Sequence, residues 1–266
     1  VRRLSRGGGD WNWDPAAGTI DPAAMHGVDS IIHLAGEPIA QRWLKETKRH
    51  ILESRVNSTA LLADAALQAG SRPDCIAASG INFYGASRAS EVDEASASGD
   101  GFLAEVCRAW EGAATPLRTA GARTVFVRTG IVLSARGGAL AKMLPAFKAG
   151  VGGRVGSGTQ RMSWILLRDL VRIYIRAVED TELAGPVNAV APEPVSNAVF
   201  TRTLAAVLGR PAVFPLPTGL VKALFGEMGK ETILADLAVR PTRLRAIGFD
   251  WEAEDLEAAF RRCLNQ

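Results

Sequence analysis

SIIHLAGEPI, residues 30–39, begins as a short apolar run, ends in Ala35 and Gly36, and is followed over residues 43–70 by apolar and small residues at helical spacing. A short apolar run bounded by turn formers reads as a buried strand. In the segment after it, Leu44, Ile51, Ser58 and Leu62 share one face, with Leu52, Val56, Thr59 and Ala63 beside it. That is the period of a helix laid on a sheet, and Gly70 is its stop. Working outward, residues 3–5, 75–79, 124–129 and 185–190 read as further strands around this 30–34 strand. Residues 102–120 read as a second helix, with Phe102, Leu103, Val106, Cys107, Trp110 and Ala114 at helical spacing, Asp100 as N-cap and Gly121 as stop. Strands alternating with helices predict an α/β fold with a parallel sheet, in which ligands bind at the loops on the carboxyl ends of the strands. Beyond Leu133 the pattern predicts helices over 139–148 and 168–178, one opened by Ser196 and closed by Gly209, and one near 255–264. Between them run a glycine-rich loop, 150–158, and a proline-punctuated stretch, RPAVFPLP.

The composition suits such a fold. The chain has 266 residues, 47% of them hydrophobic and 22% charged, which excludes disordered, collagen-like and disulfide-scaffold classes. Its net charge of +3 is scattered, so the basic patch of a nucleic-acid binder is missing. No apolar run approaches the roughly 18 residues of a membrane span. Cys75, Cys107 and Cys263 are far apart and in no metal spacing, which fits a reduced, cytoplasmic thiol inventory. The chain starts at Val1, and its first strand runs straight into glycines, so a segment upstream is expected to be missing.

Several motifs invite a functional reading. The loop GVGGRVGSG, 150–158, lacks the Lys-Ser/Thr ending of a phosphate-binding Walker loop and follows a helix, so a lid or turn is the expectation. His26, His33 and His50 have no partners at metal spacing, and no metal site is expected. Ala35 and Gly36 at a strand end let the backbone approach a flat or anionic ligand. Arg6 follows a strand end, where an arginine accepts a ribose 2′-phosphate or is a solvated surface residue. Arg55, on the sheet-facing stripe of its helix, needs an anionic or carbonyl partner, supplied by a ligand or by a buried ion pair.

Five strings then coincide in order: SGINFYG (79–85, with Ser79), FLAEVCRAWE (102–111), VRTGIVL (127–133), MSWILLRDLV (162–171) and GPVNAVAPEPVSNAVF (185–200). Together they resemble the epimerase-like atypical branch of the extended short-chain dehydrogenases/reductases, the NAD-dependent epimerase/dehydratase family, over essentially the whole chain. The resemblance implies a Rossmann-like, doubly wound parallel sheet binding NADP(H), with residues 1–150 as the dinucleotide-binding domain. It implies a small substrate lobe over 151–266, with 185–190 returning to the sheet. The family's first strand-turn-helix unit, with its glycine fingerprint, would be missing, and the chain alone is expected to bind cofactor poorly. Residue by residue, the resemblance places Ser5 and Arg6 at the 2′-phosphate, Leu34, Ala35 and Gly36 under the ribose and pyrophosphate, and Glu37 in the same loop. It makes Arg55 a cofactor contact, Arg128 a polar contact near the nicotinamide or substrate, and Ser79 the residue that polarises the substrate's carbonyl or hydroxyl.

One departure bears on mechanism. The family's proton relay is a tyrosine followed four residues later by lysine, and that slot holds Leu103 and Cys107. An unassisted tyrosine, pKa ~10, is ionised to roughly one part in a thousand at pH 7. Tyr84 is the expected substitute, with Glu37 and Glu105 behind it; packing at the strand exit is the competing role for Tyr84. Leu166 stands where relatives often carry histidine. The expected function is an NADP(H)-dependent oxidoreductase or nucleotide-sugar-epimerase-like enzyme acting on a small molecule, cytoplasmic, homodimeric, and without nucleic-acid or membrane partners. The alternative is a non-catalytic NADP(H)-binding sensor or scaffold; a regulatory label attached to some relatives has no physical support in the sequence.

Overall fold

A computed structural model describes residues 1–5 and 7–264. Arg6 lies outside the described residues. The chain divides into two compact units, one formed by Val1–Ser79, Glu105–Val127 and Tyr174–Pro186, the other by Gly80–Ala104, Arg128–Ile173 and Val187–Gln266.

In the first unit β1 (Leu4–Ser5) pairs in parallel with β2 (Trp11–Asp14), which pairs with β3 (Thr19–Ile20) in an antiparallel hairpin. A separate sheet has the order β10 (Gly185–Ala189), β6 (Thr124–Thr129), β5 (Asp74–Gly80), β4 (Ser30–His33), with β4 and β5 parallel. The predicted strands are all present within a residue or so of their expected ends. The β2–β3 hairpin is an addition: WNWD alternates apolar and polar residues but over only four positions, and the two-residue TI is too short to show a period. The first core gathers Trp13, Met25, Ile31, Leu62, Ala63, Ala66, Cys75, Leu117 and Phe126. The long helix α1 (Lys45–Gln68) buries Ile51, Ser58, Thr59, Leu62, Ala63 and Ala66, a stripe dominated by small residues that lets it lie close to the strands. Leu44, expected on that face, is instead the exposed N-cap. Arg123 ties the end of α5 (Leu167–Glu179) into this unit by donating to the carbonyls of Ala177, Asp180 and Leu183 and to the Asp74 carboxylate at 2.7 Å.

The single helix expected over 102–120 is two, α2 (Phe102–Ala113) and α3 (Thr115–Thr119). Pro116 lacks the N–H that would continue the ladder and sits in the first turn of α3, where none is needed. Asp100 is not the source of the expected cap. The amides of Phe102 and Leu103 donate at 2.9 Å each to the carboxylate of Glu231, which arrives on α7 (Thr218–Glu231).

The second unit's core joins Leu133, Leu140, Phe147, Trp164, Leu166, Phe200, Leu204 and Phe260. They are carried by β7 (Ile131–Leu133), α4 (Gly138–Lys148), β9 (Trp164–Leu166), α6 (Asn197–Leu208) and α9 (Leu256–Leu264). Ser196 caps α6 by accepting from the Val199 amide, and Gly209 ends it at φ 62°, as the sequence predicts. α7 was not expected, since prolines precede it and Gly226 interrupts it at φ 56°. The short α8 (Thr242–Ala246) is a further addition, as are β8 (Arg161–Met162) and β11 (Val195–Ser196), which pair with each other.

The glycine-rich loop is a pinned turn. Val155 donates to Asn197 Oδ1 at 2.7 Å, Gly158 accepts from the Ala198 amide, and Val155 bridges Leu216. A Cβ on Gly153 would lie 1.8 Å from the Phe214 carbonyl oxygen, so its glycines serve close packing of backbone on backbone.

Candidate functional site

The first cluster lies at the carboxyl end of β4. The chain leaves the sheet after His33 through Leu34, Ala35, Gly36 and Glu37, and Leu34 is 62% exposed where the strand stops. The Glu37 amide donates to Ser54 Oγ at 2.9 Å, and the Glu37 carbonyl accepts from Arg55 Nη1 at 2.9 Å, so α1 holds the loop by two bonds. Arg55 Nη1 also donates to the carbonyl of Ile51, one turn back on its own helix. Among the described residues, Arg55 Nε and Nη2 make no hydrogen bond. The guanidinium lies 5.0 Å from the centre of the Trp110 ring, and burial pulls its pKa down while Cys107 and Glu37 oppose that shift. A Cβ on Gly36 would come within 2.9 Å of Arg55 Cζ, so glycine is what lets the loop close over the guanidinium. Glu37 Oε1 accepts from Gln41 Nε2 at 3.2 Å. Ser5 forms a local turn, donating to the Gly7 carbonyl at 2.9 Å.

Behind this loop His33 is buried between two indoles, edge-on to Trp13 at 6.0 Å and to Trp110 at 6.2 Å, and 3.0 Å from Ser58 Oγ. Burial, with Arg55 adding to it, brings its pKa down to about 4, so the ring is neutral and packed at ordinary pH.

Ser79, near the end of β5, is buried and donates to Glu111 Oε1 at 2.8 Å. Glu111 is partly exposed and stands one turn beyond Cys107 on α2, so Leu103, Cys107 and Glu111 follow one another on one helical face. The sequence reading missed Glu111. The signal was there in its i+4 spacing from the relay slot. Glu105, by contrast, faces solvent.

The second cluster belongs to the other unit. Tyr84 is fully buried; its hydroxyl donates to Asn188 Oδ1 at 2.7 Å and accepts from Arg128 Nη1 at 3.0 Å. Arg128 is itself buried, its guanidinium 3.4 Å from the centre of the Phe83 ring. Burial raises the Tyr84 pKa, opposed by the charge and hydrogen bond of Arg128. Asn188 is committed as well, since Nδ2 donates to the Arg240 carbonyl at 3.0 Å and its amide donates to Glu94 at 2.9 Å. The structure therefore groups Leu34, Ala35, Gly36, Glu37 and Arg55 around one strand end in the first unit, and groups Tyr84 with Arg128 and Asn188 in the second. Ser79 pairs with Glu111. Leu166, in the slot where relatives often carry histidine, is core.

The loop over Arg55 leaves the end of β4 and Ser79 stands near the end of β5, and comparison with known proteins gives this α/β scaffold a lineage. The profile of the NAD dependent epimerase/dehydratase family matches residues 14–190. The chain belongs to that family. A domain of unknown function, DUF1731, matches residues 216–263 of this family member, which takes in α7, α8 and most of α9. An epimerase family protein of Mycobacterium tuberculosis is 41% identical over 252 residues, 94% of this chain and 83% of that protein. Human epimerase family protein SDR39U1 is 37% identical over 260 residues, 96% of this chain and 87% of its own length. The crystal structure of human SDR39U1 (isoform 2) with NADPH superposes at a TM-score of 0.86 with 33% identity, covering 99% of this epimerase-family chain and 90% of the human one. Among the described residues no helix is long and apolar enough to cross a membrane, and no cluster of His, Cys, Asp or Glu could hold a metal ion.

Proposed function

We propose that this chain is an NADP(H)-dependent oxidoreductase of the epimerase-like class, acting on a small carbonyl or alcohol substrate. In this reading residues 1–150 hold the cofactor, and 151–266, apart from the returning 185–190 strand, hold the substrate. The observation that carries it is Arg55, a half-buried guanidinium with Nε and Nη2 uncommitted beneath the loop at the end of β4. A guanidinium placed so supplies charge-assisted donors to a phosphate or ribose oxygen. Leu34, Ala35 and Gly36 would offer an apolar edge and a close backbone approach to the same ligand. Ser5 and Arg6 would take the 2′-phosphate. When bound, the cofactor would supply a hydride donor and acceptor. The NADPH in the human SDR39U1 structure supports the choice of cofactor. The proton step is assigned to Ser79, because the Tyr84 hydroxyl would have to leave both Asn188 and Arg128 to serve it. Glu37, with its carboxylate turned to Gln41, would help shape the loop. The working unit would be a cytoplasmic homodimer.

NADPH titration of the full-length protein, followed by fluorescence, tests the reading. Arg55→Ala is expected to weaken binding by about 10-fold or more, the worth of a charge-assisted contact. Wild-type affinity in that variant would remove the reading's support. A second reading, a non-catalytic NADP(H)-binding sensor, is favoured by Leu103 and Cys107 in the relay slot and by the commitment of the Tyr84 hydroxyl. Stoichiometric NADPH binding with no turnover of any carbonyl would select it.

A further inference from the structure

Resting on the oxidoreductase reading above, we propose that Ser79 and Glu111 form a two-residue proton path that does the work of the family's missing tyrosine and lysine. Three observations converge on it. The slot for the relay holds Leu103 and Cys107, neither of which can carry a proton as a phenol and an ammonium do. Glu111 lies on the same face of α2, one turn further on, and its Oε1 accepts the Ser79 hydroxyl at 2.8 Å. Ser79 is buried while Glu111 is partly exposed, so one end of the pair is shielded from water and the other can exchange protons with it.

In carbonyl reduction the carbonyl carbon receives a hydride, with its electron pair, from a reduced nicotinamide, and the C=O π bond opens onto oxygen. That oxygen takes the proton of Ser79 Oγ as Ser79 takes the proton of the Glu111 carboxylic acid. The products are an alcohol, an oxidised nicotinamide and a Glu111 carboxylate, which is reprotonated from water. Ser79 touches the reacting oxygen; Glu111 acts through Ser79 and is a positioning residue. Because reduction consumes a proton along this path and oxidation releases one, the two rates respond to pH in opposite directions.

Glu111→Gln is the decisive variant. Its amide oxygen still accepts from Ser79, so that contact survives while the proton is lost. With NADPH and the probes phenanthrenequinone and para-nitrobenzaldehyde, kcat is expected to fall by about 10²- to 10⁴-fold and the pH slope to vanish. NADPH affinity should stay within about two-fold, since uniform binding is untouched. A readout independent of turnover is the carboxyl ¹³C resonance of Glu111 in the cofactor-free chain, whose titration midpoint should move in Ser79→Ala. An unchanged midpoint overturns the pair. So does a Glu111→Gln variant that keeps the wild-type kcat and pH profile. If the midpoint moves but the unmodified chain reduces neither probe, the pair exists and the oxidoreductase reading fails, which also overturns the proposed proton path.

Discussion

The hydroxyl of Tyr84 lies 2.7 Å from Asn188 Oδ1, a side chain 104 residues further along, and the same oxygen receives Arg128 Nη1 at 3.0 Å. All three residues are buried, so the phenol is the joint between an amide and a cation that water does not reach.

Removing that joint takes a hydrogen-bond partner from both Asn188 and Arg128. Tyr84→Phe is expected to cost about 1–3 kcal/mol, the penalty for losing a buried hydrogen bond, with the ring's packing against Phe83 retained. Urea unfolding of the variant measures it. A change below about 0.5 kcal/mol would mean that Asn188 and Arg128 find other partners.

His33 makes stability depend on acid. Its pKa is about 4 in the folded chain against 6.5 unfolded, so below 6.5 the unfolded chain binds the extra proton. Stability from this group is complete above pH 6.5 and is lost as pH falls from there toward 4. Between pH 7 and pH 5 the loss amounts to roughly 2 kcal/mol, and His33→Gln should abolish that part of the slope. Denaturant midpoints across this range give the result directly.

Glu231 closes the amino end of α2 with two bonds at 2.9 Å. Glu231→Ala is expected to destabilise the chain by about 1–2 kcal/mol, losing both a cap and a negative charge at a helix amino terminus. Glu231→Gln should retain part of this. Thermal unfolding of the two variants side by side separates hydrogen bond from charge.

Gly99 has no room for a side chain. An added Cβ would sit 2.1 Å from the Tyr84 carbonyl oxygen and 2.6 Å from the Gly85 amide nitrogen. Both are backbone atoms that cannot swing aside, so Gly99→Ala should cost about 3 kcal/mol. Gly112→Ala, where nothing lies within 4 Å, is the matched control and is expected to be neutral or stabilising because alanine favours the helix.

Arg6 carries the proposed choice of NADP over NAD. Arg6→Ala is expected to bring NADPH and NADH affinities together, a loss of about 10-fold or more for NADPH alone. Equal affinities in the unmodified chain would refute the assignment.

Local patterning was enough to find the strands of the four-stranded sheet, the long helix α1 and the caps of α6, because a buried strand needs its apolar run and a helix end needs its serine or glycine whatever surrounds them. It was also enough, through the strings 79–85, 102–111, 127–133, 162–171 and 185–200, to reach the family. Strands as short as the four-residue WNWD, and α7 behind its prolines, escaped, since pairing and packing do more to form them than so brief a pattern of their own. The cap of α2 could not be read locally either: Asp100 has the right chemistry, but the carboxylate that arrives is 128 and 129 residues away in sequence from the amides it binds. The same holds for the roles of polar side chains. The sequence by itself determined which residues carry protons and charge; whether Arg55 keeps two nitrogens free, Tyr84 is bound on both sides, or Ser79 has a carboxylate to lean on was decided only when distant segments met, because hydrogen bonds depend on ångström-scale approach that sequence spacing does not specify.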